Sequence, residues 1–62
     1  MKTVSLTLEF TEQEAQDLAQ FLKRATFSDY RDKAENEEVA YRMQSVGEKV
    51  RALLAENGFS PR

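Results

Sequence analysis

The sequence predicts an α+β chain of order β-α-α, and three observations predict it. Residues 3–10 alternate apolar and polar side chains without a break, two later stretches repeat apolar residues at spacings of three and four, and capping and glycine signals punctuate the boundaries.

The alternating stretch reads Thr-Val-Ser-Leu-Thr-Leu-Glu-Phe. A period of two places Val4, Leu6, Leu8 and Phe10 on one face of an extended chain, and Thr3, Ser5, Thr7 and Glu9 on the other. No second run of this kind occurs. A lone strand leaves its backbone N–H and C=O groups without partners, and an apolar, uncharged edge pairs with whatever edge it meets. The expected partner is the same strand of a second copy. The expectation is therefore a homodimer built on an antiparallel two-stranded ribbon, with Val4, Leu6, Leu8 and Phe10 as dimerisation residues under two amphipathic helices.

Thr11-Glu12-Gln13-Glu14 has the capping-box pattern, a hydroxyl with a carboxylate three residues on. The first helix is expected over about 12–25, with Ala15, Leu18, Ala19, Leu22 and Ala25 as its core stripe and Phe21 widening it. Residues 26–35 contain no glycine or proline and fit no clean period. They predict a connector with one turn of helix, capped by Ser28 or Asp32 and pinned by Phe27 and Tyr30. The second helix is expected over about 36–57. There Val39, Met43, Val46, Val50 and Leu53 recur at four, three, four and three, a seam that packs against another helix. Ala40, Gly47 and Leu54 flank it. Glycine costs ~1 kcal/mol relative to alanine inside a helix, so Gly47 predicts close approach of another backbone. Asn57-Gly58-Phe59 predicts a left-handed stop with Phe59 folded onto Leu54, and proline in Ser60-Pro61-Arg62 prevents continuation.

Sixty-two residues make one domain, spanning 1–62, and a chain of this size buries only about 60% of its unfolded surface. Cysteine and histidine are absent, which removes disulfides and the usual zinc ligands. Association is the remaining way to stabilise so small a core. Nine basic against eleven acidic residues give a net charge of −2 and a pI near 5.0, without the positive balance that phosphate backbones select. No apolar run approaches the ~20 residues of a membrane span, and no signal-peptide core opens the chain. The expected setting is the cytoplasm.

The segments Ala19-Gln20-Phe21-Leu22-Lys23-Arg24, Phe27-Ser28-Asp29-Tyr30-Arg31, Glu38 to Met43, Gly47-Glu48 and the close Gly58-Phe59-Ser60-Pro61-Arg62 resemble a family of small uncharacterised bacterial proteins. Its members are often encoded on plasmids, prophages and other mobile elements. The resemblance covers nearly the whole chain and implies a single domain in a bacterial cytoplasm. It brings no activity and no functional residue.

For chemistry, the absence of cysteine and histidine removes the commonest nucleophile and base. The two glycines, eleven residues apart, cannot form a phosphate-cradling loop. Carboxylates remain: Asp29, Asp32, Glu35, Glu37 and Glu38. Their place before and at a helix start suits capping and the helix dipole. The expectation is a non-enzyme with no catalytic residue, no metal and no cofactor. Two functional readings follow. In the first, a small dimer modulates or inhibits another protein, with Tyr30, Glu35, Glu37, Glu38 and Tyr41 as partner-binding residues presented toward a basic target. In the second, the order strand, helix, helix is similar to that of ribbon-helix-helix repressors, whose paired strands enter the major groove. Lys2, Thr3, Ser5 and Thr7 would then face DNA. Against it, that face carries one lysine and none of the other strong base readers (arginine, asparagine, glutamine), Glu9 lies at its margin, and the second helix opens on the acidic Asn36-Glu37-Glu38.

Overall fold

Local signals set three helices, in the order α1 (Glu12–Arg24), α2 (Phe27–Lys33) and α3 (Glu37–Glu56), in the computed structural model, which describes residues 2–61. The expectations for residue 1 as a chain end and for Arg62 in the closing segment fall outside the described residues.

Helix α1 begins as its sequence dictates. The Thr11 hydroxyl accepts from the Glu14 N–H at 3.1 Å, while the Glu14 carboxylate accepts from the Thr11 N–H at 2.9 Å. Two otherwise unpaired donors are satisfied reciprocally. Glu12 and Glu14 lie at its positive end, Lys23 and Arg24 at its negative end. Ala25 leaves the helix in extended conformation, so α1 stops one residue short of the expected limit.

Residues 26–35 contain a full helix where the sequence suggested a single turn. Its cap is Thr26, not Ser28 or Asp32. The Thr26 side chain accepts from the Asp29 N–H, and the Asp29 carboxylate accepts from the Thr26 N–H at 2.8 Å. This is a second capping box, with aspartate in place of glutamate. Helix α3 is capped by the Asn36 side chain, which accepts from the Val39 N–H at 2.9 Å. It ends in a Schellman turn: Gly58 has φ +93°, its N–H reaches the Ala55 carbonyl, and the Phe59 N–H reaches the Leu54 carbonyl at 2.9 Å. Phe59 packs back against the cluster that contains Leu54, as the Asn-Gly-Phe stop predicts.

The core is small. Ala15, Ala19 and Leu22 of α1 meet Leu54 of α3, with Leu18, Val50 and Phe59 partly buried around them. Helix α2 lies on α3 one turn of sequence further toward its N-terminus. There the ring of Phe27 packs on that of Tyr41 with centroids 4.6 Å apart, and Tyr30 sits on Gly47. The Lys23 ammonium donates to the Pro61 carbonyl and ties the C-terminal segment to α1.

The α+β expectation is overturned. Among the described residues there is no strand, and residues 2–10 make no backbone hydrogen bond. The ribbon, and the β-α-α order with it, are corrected to an irregular N-terminal arm followed by three helices. The physical reason is that ladder hydrogen bonds define a strand, and this chain holds no second run to form one. Val4, Leu6, Leu8 and Phe10 are therefore exposed instead of lying beneath the helices, Leu6 to 84%.

Two further expectations change. Phe21 points away from the core and is 66% exposed. On α3 the faces are exchanged: Ala40, Gly47 and Leu54 are buried, while Met43, Val46 and Leu53 of the seam are exposed. Small residues at 40 and 47 let the neighbouring helices come close, so that side was chosen over the bulkier seam. The close approach predicted at Gly47 is real, but a tyrosine side chain makes it, not a backbone.

Candidate interaction surface

The most distinctive surface follows from that exchange of faces. Helix α3 is twenty residues long, about 30 Å at 1.5 Å per residue, and its seam runs along most of it. Val39 and Val50 are half-buried, and Val46 is 55% exposed. At the C-terminal end the seam continues onto the arm, because Leu8 and Phe10 line one open groove with Val50, Leu53 and Phe59. Ala15 lies in the same groove, which places Phe10 and Ala15 as the hydrophobic staple requires. Arm and seam thus form one apolar surface.

Its extent shows in the dimensions of the molecule. The chain exposes 5538 Å², whereas a folded monomer of its mass exposes about 4,100 Å². Its radius of gyration is 12.7 Å, against about 10.6 Å for a compact domain of this length.

The acidic residues named from sequence are exposed but do not converge. Glu37 and Glu38 occupy the first turn of α3, where carboxylates oppose the helix dipole. Glu38 accepts from Arg42 at 3.1 Å in an exposed pair, worth a few tenths of a kcal/mol. Glu35 lies in the turn before the cap. Asp32 pairs with Lys33 at 3.4 Å. Asp29 is committed to its capping box, and its hydrogen bonds from the Thr26 backbone and side chain hold its carboxyl below the ordinary aspartate range. A depressed folded-state value means stability that is present above the unfolded value and lost as pH falls through the folded one. The start of α2 should therefore loosen in acid, below the ordinary aspartate value of 3.8. Amide exchange at residues 27–30, followed downward through that range, should accelerate more in the native protein than in Asp29→Asn.

The tyrosines separate. Tyr41 is exposed and stacks on Phe27. Tyr30 is half-buried, and its hydroxyl is enclosed against Gly47 without a hydrogen-bond partner. Only Tyr41 of the two presents most of its ring to solvent. Lys2, Thr3, Ser5 and Thr7 are exposed on the arm, with no paired strand to align them.

Among the described residues, no group of three or more acidic, histidine or cysteine side chains is arranged to hold a metal ion. No helix there is long and apolar enough to cross a membrane. Sequence reasoning missed the outward-facing seam as a surface; the signal that could have found it was the small residues at 40 and 47, which mark the side a neighbour approaches.

No match is found among curated proteins or among solved structures. A family described as a family of unknown function, DUF7706, matches residues 1–62 from end to end, and the chain belongs to that family.

Proposed function

We propose that the protein is a non-enzymatic interaction module that modulates another polypeptide by presenting its apolar arm and the α3 seam. The observation that carries this reading is the continuity of the two. Val4, Leu6, Leu8 and Phe10 on the arm, with Met43, Val46 and Leu53 on α3, are large, apolar and exposed in a chain of 62 residues. Large contiguous apolar patches on small soluble chains mark places where something else packs. The acidic groups support the reading less strongly, because capping, the helix dipole and local pairs account for their positions. The bacterial, cytoplasmic and mobile-element setting implied by the resemblance is consistent with a small modulator.

DNA binding has no geometric observation in its favour: the polar residues of the arm stand on an unpaired segment, and the net charge is −2. The test is a photo-crosslinking side chain placed at Val46, or at Glu48 as control, in the cells that make the protein. Discrete adducts at position 46 and none at 48 are expected. An adduct-free protein at both positions would overturn the proposal.

A further inference from the structure

The seam identifies the kind of partner that covers it. Apolar residues at spacings of four, three, four and three fit the groove of another helix with the same spacing. No helix of this chain is free to supply one, since α1 and α2 both pack on α3 through its other side. We infer that the seam is the docking face for a second copy of the chain, α3 against α3, an inference that rests on the interaction-module reading above.

Three observations favour a copy over a different protein. The copy carries a seam of identical length and spacing. The spacing is symmetric about Val46: with helices antiparallel, Val39 falls opposite Leu53, Met43 opposite Val50, and Val46 opposite itself, while with helices parallel every layer again pairs like with like. The area also fits. The chain exposes roughly 1,400 Å² more than a monomer of its mass should, and a stable interface takes roughly 800 Å² from each partner. The seam, with Leu8 and Phe10 beside its C-terminal end, lies within that excess. A net charge of −2 per copy opposes association only weakly at physiological ionic strength.

The assay is sedimentation of the purified full chain from micromolar to millimolar concentration. The expected mass is twice 7.1 kDa. Val46→Lys should weaken the dimer at least tenfold, and Glu48→Lys, on the far side of the helix, should leave it unchanged. Because dimerisation and folding can be coupled, Val46→Cys provides a second readout in a chain without cysteine. In either helix direction Val46 meets Val46, so this variant should oxidise rapidly to a disulfide-linked dimer while Glu48→Cys does not. A helical single subunit at millimolar concentration, with Val46→Cys oxidising no faster than Glu48→Cys, overturns the inference. If the photo-crosslinker at 46 then captures a different polypeptide, the interaction-module reading stands and only the choice of partner falls. If it captures nothing, both fall.

Discussion

Leu54→Ala should abolish cooperative folding or lower the thermal midpoint by at least ~10 °C. Leu54 is 8% exposed and meets Ala15, Ala19 and Leu22, with Phe59 folded back beside it. Two of these neighbours are alanines, which have no length to swing into the space a lost isobutyl group leaves. A buried leucine truncated to alanine costs about 2–5 kcal/mol, most where the site cannot collapse. A domain of this length is stable by only about 3–9 kcal/mol in total. Each kcal/mol corresponds to roughly 4–8 °C in so small a domain. Circular dichroism melts of the variant measure the shift. Phe21→Ala is the matched comparison, since sequence periodicity assigns Phe21 to the core as well. Its ring is 66% exposed, so the loss should stay under about 0.5 kcal/mol. Equal losses for the two variants would show that the core has been wrongly located.

Gly47→Ala should destabilise the protein, against the direction that helix propensity gives. In an isolated helix the change would gain ~1 kcal/mol. Here a Cβ on residue 47 would lie 2.2 Å from the Tyr30 hydroxyl oxygen and 3.0 Å from the ring carbon that bears it. The ring is rigid, so relief requires the whole side chain, and α2 with it, to move off α3. Overpacking of this kind costs about 1–3 kcal/mol. The diagnostic is a reversal of sign. Tyr30→Ala alone should be strongly destabilising, by about 3 kcal/mol or more, as loss of a large packed ring usually is. In that background Gly47→Ala no longer meets anything and should become stabilising by up to ~1 kcal/mol. A double-mutant cycle in urea measures both signs. If Gly47→Ala has the same effect with and without the tyrosine, the two residues are not in contact.

The parts of this fold that could be read from the sequence are those decided by neighbours within four residues. Thr11 with Glu14, Asn36 before α3 and Gly58 after it each act through a local hydrogen bond, and each stands where its residue type predicts. Thr26 with Asp29 follows the same grammar. It was passed over because the segment around it lacks a periodic apolar stripe, although three turns' worth of side chains need no stripe when only Phe27 and Tyr30 dock. Choices made over distance were not legible. Alternation in residues 3–10 describes the two faces an extended segment would have, but it cannot say that a partner strand exists. The apolar spacing of α3 shows a seam, yet the helix turned the alanine and glycine beside it toward its neighbours. Hydrophobicity favours burying the seam, while close packing favours burying the small side, and in one chain only one side can face α1 and α2. Of the candidate site, the apolar residues were all visible by type; their joint exposure was not.

The alanine-rich contact between α1 and α3 has a consequence for how the protein responds to temperature. No large side chain is completely enclosed, so unfolding wets little carbon that was dry before. Heat-capacity change scales with newly hydrated apolar area. The free-energy curve of the single chain is therefore shallow and broad, with cold and heat denaturation far apart and neither abrupt.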